Sequence, residues 1–254
     1  VLGSESSQPK FAGFSNSLEI GDENQTGDVQ IYANGTVDSL VVGNGSFDIS
    51  IDTNADLTLG KVDFLNNGSV SISTGAAESS CVSFTGGLNA TAVSQVNLFG
   101  AVRTDGNPIN LSKLVLNNGG GFPGALGALD TTNGGSEPAG APITIESLNV
   151  SGGGFGFETG ANNVLTLTGS SDLNGSIILG DGGIEATGDV VLGGSIQIAG
   201  DQNYAANVTL GRATTLTGNT ATFANALEGA GNDLTINFTQ TSTVDGFNNI
   251  HNFT

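Results

Sequence analysis

The chain repeats one short pattern over residues 163–238, in which two apolar residues flank one polar residue and a turn residue follows. Alternation of this kind is the period-2 signature of a strand with one buried face. Gly, Asn or Asp stands close after nearly every pair, and these residues tolerate the positive φ values of tight corners. The pattern therefore predicts many short strands joined by sharp turns. The apolar pairs are Leu165/Leu167, Ile177/Leu179, Val190/Leu192, Ile196/Ile198, Val208/Leu210 and Leu234/Ile236.

Similar pairs fill residues 18–116. Asn-Gly steps at Asn34, Asn44 and Asn67 separate some of them, and such steps taken alone favour antiparallel hairpins. The pairs also recur in sets that return after about 18 to 26 residues, which is within the range of solenoid repeats. We therefore predict an all-β fold, a parallel β-helix (β-solenoid) of roughly 10 to 12 rungs in which each rung pairs with its neighbours. Residues 1–17 lack periodicity and are predicted to be an extended lead-in to a single β-helix domain at 18–254.

Residues 117–142 interrupt the pattern. The stretch opens on a glycine-rich run, and Pro123, Pro138 and Pro142 are three of the five prolines in the chain. We interpret it as a loop inserted at one corner, because insertions into solenoids leave from corners and often carry a binding function. The alternative is a solvated spacer without a role of its own.

The composition disfavours long helices and nucleic-acid binding. Lys and Arg number 5 against 24 Asp and Glu, Met and Trp are absent, and the formal net charge is −19. Helices have little intrinsic support in such a chain, and five scattered cations cannot neutralise a run of phosphates. An anionic membrane surface repels the same charge. The acids are spread thinly, which indicates either solubility outside the cell or a calcium-dependent role.

Cys81 is the only cysteine, so no intrachain disulfide can form, and no CxxC pattern exists. We expect a small buried hydrophobic residue there, with a reactive thiol as the alternative. No stretch approaches 18 continuous apolar residues, so no membrane-inserted segment is predicted. The chain starts at Val1 without a methionine, and the strand pattern reaches Thr254 without a polar cap. These features favour a segment of a longer protein.

Two sets of acids are candidates for carbohydrate chemistry, which needs carboxylates that converge on one face. Cations are rare, with only Lys61 close to either set in sequence, and His251 is the only histidine. We therefore interpret both sets as a solvated face and predict no catalytic residues, cofactor-binding residues or metal ligands. Gly43–Asp48 approximates a calcium-binding nonapeptide only once and in the wrong register, so weakly bound calcium at corner Asp and Asn oxygens stays open. The two sets are Asp48, Asp52, Asp56 and Asp63, and Asp181, Glu185 and Asp189.

Several phrases resemble the repeats of filamentous-haemagglutinin-type exoproteins and autotransporter passengers. They are Asn207–Gly211, Thr214–Gly218 and Gly229–Ile236, while Val96–Ile109 is similar to the phrase that joins one rung to the next in those proteins. The resemblance covers about three quarters of the chain, from residue 29 onward. It implies a right-handed parallel β-helix at the bacterial cell surface that acts in adhesion, biofilm or envelope structure. The family has no shared catalytic residues to transfer, and this chain lacks an Arg-Gly-Asp tripeptide.

These observations favour a non-catalytic, secreted or cell-surface structural protein or adhesin, a rod-like scaffold. The expected partners are surface glycans or proteins of a host or neighbouring cell, or copies of the protein itself, and not nucleic acid. One alternative is a self-associating subunit of a surface filament or layer. A further alternative is a polysaccharide lyase or hydrolase.

Overall fold

The computed structural model describes residues 10–21, 23–25, 27–53, 55–74, 80–117 and 129–254. These residues form strands, turns and corners without any α-helix, so this part of the chain has no helix that could cross a membrane. Val, Ile, Thr and Phe supply the apolar content, and β-branched and aromatic residues fit a half-buried pleated surface. The predicted all-β fold is confirmed.

The chain forms 25 strands in the described residues. The first twelve are Lys10–Ile20 (β1), Val29–Tyr32 (β2), Asn34–Val42 (β3), Ile49–Thr53 (β4), Leu57–Leu59 (β5), Val62–Phe64 (β6), Ser69–Thr74 (β7), Cys81–Phe84 (β8), Leu88–Ala90 (β9), Gln95–Phe99 (β10), Ala101–Thr104 (β11) and Ile109–Asn117 (β12). The others are Leu129–Asp130 (β13), Ile143–Glu158 (β14), Val164–Leu167 (β15), Ser171–Leu179 (β16), Gly183–Ala186 (β17), Val190–Ile198 (β18), Gln202–Tyr204 (β19), Val208–Gly218 (β20), Ala221–Phe223 (β21), Leu227–Glu228 (β22), Leu234–Phe238 (β23), Thr243–Val244 (β24) and Phe247–Asn248 (β25).

One turn of the chain passes through three walls. In the turn at residues 49–64, β4 lies in what we call the first wall, β5 in the second wall and β6 in the third wall. Each strand pairs in parallel with the strand one turn later, β4 with β7, β5 with β8 and β6 with β9. Repetition of this unit gives a parallel β-solenoid of about 10 turns, which confirms the predicted stack of rungs. At ~4.8 Å per rung the stack is roughly 48 Å long.

Inward-facing residues of consecutive turns stack on one another. In the first wall Ile49 pairs with Val70, Val70 with Val96, and Val96 with Leu114. All four side chains are buried, and the residues between the buried positions of each strand face outward. Burial of each aliphatic side chain contributes about 1.5–3 kcal/mol relative to exposure. The period-2 alternation thus produces the ladders that hold the turns together.

The turns differ in length, but their walls stay in register. Val190 pairs with Val208, 18 residues further on, whereas Val70 pairs with Val96, 26 residues further on. Within each wall, residues of one turn pair with residues of the next, so the residues that make some turns longer lie in the corners. Several longer strands bend through a corner, and β16 contributes Leu173 to the first wall and Leu179 to the second.

The Asn-Gly steps lie at corners and strand starts rather than in antiparallel hairpins. Asn34 and Gly35 begin β3, and Gly35 has a φ of 96°. Residues 1–9 of the predicted lead-in lie outside the described residues. From Lys10 the chain belongs to β1, which pairs in parallel with β3. Backbone pairing needs no apolar alternation, which is why the periodicity gave no sign of this strand.

The predicted inserted loop at 117–142 falls partly outside the described residues, over 118–128. After this gap, Leu129–Asp130 forms a strand of the second wall, between Val102–Arg103 and Phe157–Glu158. Residues 131–142 then make the corner that leads to the third wall at Ile143. A two-residue strand is too short to show alternation, so the sequence pattern did not distinguish it from the glycine- and proline-rich residues around it.

Apolar side chains fill the interior of the solenoid. Phe47, Phe64, Phe84, Phe157 and Tyr204 are its largest fully buried side chains, among many Val, Ile and Leu residues. A void of about 10 Å³ among core residues near the amino-terminal end is at the lower limit for one water molecule. Because apolar side chains pack the interior of the described residues, these residues offer a ligand their outer surface.

Candidate functional site

A row of charged residues lies on the outer face of the second wall. Arg103 pairs in register with Asp130, and Asp130 pairs in register with Glu158, so the three occupy one column in consecutive rungs. Asp181 follows in the next turn, at the corner between the second and third walls, and its Oδ1 accepts a hydrogen bond from the Gly160 amide at 3.0 Å. The parallel register therefore brings together four charged residues that are far apart in sequence.

Asp130 is fully buried, and its carboxylate is the most extensively bonded in this row. Its Oδ1 accepts hydrogen bonds from the amide and the hydroxyl of Thr132, both at 2.7 Å, and its Oδ2 accepts one from the Gly134 amide at 2.7 Å. Arg103 Nε lies 3.2 Å from Oδ2. That nitrogen makes no hydrogen bond, so its contact with Asp130 is coulombic. A buried charge needs such partners, and these partners also organise the corner at residues 131–135.

Glu158 is half-buried beside two other acids. Burial, followed by the charge of Asp181, a hydrogen bond with Asp181 and the charge of Asp130, raises the pKa of Glu158 from 4.5 to about 7. The Glu158 carboxylate occupies the space that a Cβ at Gly180 would need. Gly180 thus allows the glutamate to lie over the next rung, next to Asp181.

The raised pKa of Glu158 favours its protonated form up to about neutral pH, while Arg103 offsets the charge of Asp130. A carboxyl group with a raised pKa beside a second carboxyl group is an arrangement that general acid–base catalysis uses. The same arrangement also occurs in structural networks. The described residues contain no group of three or more His, Cys, Asp or Glu side chains arranged to hold a metal ion.

The structure does not bring the members of either candidate acid set together. Asp181, Glu185 and Asp189 follow one another around a single turn, with Asp181 at one corner, Glu185 on the third wall and Asp189 at the next corner. Asp189 accepts two hydrogen bonds from Asn207 of the next turn, both at 3.0 Å. Residues close in sequence diverge because each wall turns the chain away from the previous one.

The amino-terminal set is dispersed in the same way. Asp48 accepts a hydrogen bond from the Ser69 amide, and Asp56 accepts one from the Cys81 amide. Asp52 accepts a hydrogen bond from the Ser50 hydroxyl. Asp63, on the third wall, forms an ion pair with Lys61 at 3.0 Å, and hydrogen bonds from Lys61 and Asn89 lower its pKa. These acids stabilise individual corners and rungs.

Sequence reasoning missed Arg103, Asp130 and Glu158 as neighbours. No local motif joins them, since Arg103 and Glu158 are separated by the irregular stretch that includes 118–128. Only the strand register relates them. The predicted burial of Cys81 is confirmed, and the thiol of this free cysteine has a polar neighbour, with its Sγ 3.8 Å from Asp56 Oδ1.

Comparison of the chain with protein-family models, with curated protein sequences and with solved structures returns no match. The likeness to filamentous-haemagglutinin-type repeats therefore rests on the sequence phrases alone, and functional inference rests on the solenoid and its surface.

Proposed function

We propose that this protein is a non-catalytic structural protein or adhesin, secreted or displayed at a bacterial cell surface, which acts as a rod-like scaffold in adhesion, biofilm or envelope. The observation that carries this proposal is the continuous succession of parallel turns around a packed apolar interior. Such a stack can hold a binding surface away from the cell, because each turn needs only its neighbouring turns for support.

The outer surface supports the same role. The middle residue of a short strand usually faces outward, so each wall carries columns of side chains repeated at the rung spacing of ~4.8 Å. Polar residues dominate the third-wall column, where Asp63, Asn89, Asn110, Thr144 and Thr166 follow one another in register. A repeating polar surface is suited to hydration and to contacts with extended partners. The net charge of −19 also keeps copies of the rod apart in solution.

The test is surface labelling and attachment in the source organism. Antibodies raised against the folded protein should label intact cells or their extracellular material, with a cytoplasmic enzyme as the unlabelled control. A deletion strain should lose attachment or biofilm mass, and the reintroduced gene should restore it. Labelling only after cell lysis would contradict the proposal. Filaments of the purified protein that grow with concentration under the electron microscope would favour the filament-subunit alternative.

A second candidate function is cleavage of a polysaccharide, and the Glu158–Asp181 pair is the observation that favours it. Glu158 would donate a proton to the leaving oxygen, and the Asp181 carboxylate would activate water or attack. Paired carboxyl groups in glycoside hydrolysis stand about 5 Å or more apart, so a bound substrate would have to break the hydrogen bond between Glu158 and Asp181. Purified protein would then release reducing ends from a neutral or uronate polysaccharide. Glu158→Gln and Asp181→Ala should abolish the release, whereas Asp189→Ala should not. Absence of release from both polymer classes would exclude this candidate for those substrates.

A further inference from the structure

A surface groove follows the corner between the third and first walls and continues over the first wall. It has a volume of about 540 Å³, and its lining runs from Lys113 in β12 to Thr209 in β20. The first-wall strands that it crosses, β12, β14, β16, β18 and β20, belong to five consecutive turns. Its length is therefore roughly 19 Å, or four rung spacings of ~4.8 Å. An open groove of this form is suited to an elongated ligand that lies along the solenoid axis.

Hydrogen-bonding side chains form most of the lining. Asn149, Asp172, Val191 and Thr209 follow one another in register down the outward column of the first wall, so an amide, a carboxylate and a hydroxyl flank one aliphatic side chain. Serine side chains and Asp189 line the corner, and Lys113 is the cation of the groove. The lining contains no aromatic residue. It offers both donors and acceptors at repeated intervals.

Among the lining residues, Asp172 has a side-chain oxygen, Oδ1, that is shielded from solvent and receives no hydrogen bond from the described residues. The other acid of the groove, Asp189, receives two hydrogen bonds from Asn207. Buried acceptors without a donor are uncommon and unfavourable. Because Oδ1 is closed to solvent, a ligand hydroxyl would bind the other oxygen, Oδ2, of the half-buried Asp172, which receives no hydrogen bond from the described residues either.

We propose that this groove binds a neutral, hydroxyl-rich linear saccharide that lies along the solenoid axis. Hydroxyl groups donate to a carboxylate and accept from an ammonium or amide group, and the lining supplies all three kinds. The charges of Lys113, Asp172 and Asp189 give the groove a net charge of −1, and the chain as a whole carries −19. Both charges disfavour a uronate polymer. An extended peptide would require a free strand edge, whereas the strands under the groove are paired on both sides.

This inference deepens the proposed function and rests on it for its biological setting, because a scaffold that displays the groove at a surface could hold a glycan. The two proposals fail separately. Surface labelling tests where the protein acts, and binding by the purified chain tests the groove.

The experiment is affinity electrophoresis of the folded protein through native gels that contain a dissolved polysaccharide. The neutral probes are a β-glucan, a mannan and a galactan, and the uronate probes are polygalacturonate and alginate. At least one neutral polymer should retard the protein, and calorimetry with a tetrasaccharide of that polymer should then give its Kd. No retardation by the neutral polymers, or retardation by uronates alone, would overturn the proposal.

Two variants and two matched controls locate the site. Asp172→Ala should weaken binding about tenfold or more, because a hydrogen bond to a charged group is lost. Val191→Arg should abolish binding by filling the groove. The controls Glu185→Ala and Thr166→Arg change equivalent outward positions of the third wall, which are half-buried like the two test positions. They should bind as the wild type does.

Asp172→Asn, with an almost unchanged shape, serves as a further test variant if a larger change disrupts folding, which circular dichroism would reveal. Unchanged binding by folded Asp172→Asn and Asp172→Ala would exclude this groove as the site.

Discussion

Arg103 and Asp130 lie in the same outward column of adjacent rungs, with Arg103 Nε 3.2 Å from Oδ2 of Asp130. The carboxylate is inaccessible to solvent, while the arginine side chain keeps 30% of its surface exposed. The pair links β11 to the first rung after residues 118–128. It therefore secures the return of the chain to the second wall.

Replacement of Arg103 by Leu should lower the free energy of unfolding by about 3 kcal/mol, because removal of one partner leaves a buried charge without its counterion. The three hydrogen bonds to Asp130 keep this loss at the lower end of the range for buried pairs. Urea unfolding followed by circular dichroism measures the change. Lys61→Leu is the control, since the Lys61–Asp63 pair is exposed (67% and 39%) and should contribute less than about 1 kcal/mol. Equal losses in both variants would contradict the role given to Arg103.

Glu158 should make stability fall as pH rises from about 4.5 to about 7. Burial and the charges of Asp181 and Asp130 raise the pKa of Glu158 from 4.5 to about 7 in the folded protein. The folded state then binds more protons than the unfolded state in this window, so the contribution present below pH 4.5 is lost as pH increases. The measurement is the melting temperature as a function of pH. Glu158→Gln should flatten the decline, whereas Glu185→Gln should leave it unchanged; identical profiles for wild type and Glu158→Gln would count against the shift.

Tyr204→Phe should lower the free energy of unfolding by about 1–3 kcal/mol, because a buried acceptor loses its donor. The Tyr204 hydroxyl donates to Gln202 Oε1 at 3.0 Å in the core, and Gln202 Nε2 donates to the Thr217 carbonyl at 3.0 Å. The Tyr204 ring stacks on Phe223, with centroids 4.9 Å apart. Phenylalanine keeps this stacking, so the variant removes only the hydroxyl.

Tyr32→Phe provides the matched control for this variant. Tyr32 donates to Gln30 Oε1 with the same two-residue spacing, but this pair is exposed. Water can replace the lost donor there, so the change should stay within about 0.5 kcal/mol. Thermal unfolding of the two variants measures both losses of stability, and equal losses would refute the prediction.

Gly182→Ala should lower the free energy of unfolding by about 3 kcal/mol or more, through left-handed backbone strain and steric overlap together. Gly182 has a φ of 80°, and a Cβ there would overlap with the Asn163 carbonyl and the Thr159 hydroxyl. Gly135 has a φ of 88° but open space around it, so Gly135→Ala should lose only the backbone part, about 1–2 kcal/mol. Urea unfolding of both variants separates the two causes, and a larger loss for Gly135→Ala would disprove this account.

The strand phrases and their inward faces were predictable from sequence. Ile49 and Ile51, or Leu165 and Leu167, face the core as their alternation requires, and the glycine-rich steps mark corners. The row of charged residues on the second wall was not predictable, because Arg103, Asp130 and Glu158 share no local sequence pattern. The groove was not predictable either, since Asn149, Asp172 and Thr209 become neighbours only through the register of β14, β16, β18 and β20.

The sequence by itself determined that this protein builds short, one-sided strands with sharp corners, because alternation and turn chemistry act over a few residues. The tertiary structure alone decided which residues share a column. Turns range from 18 residues between Val190 and Val208 to 34 between Leu114 and Leu148. Parallel backbone pairing accepts any outward side chain. The corners contain the residues by which turns differ in length. The number of residues along the chain therefore does not reveal which residue of the next rung lies beside a given one.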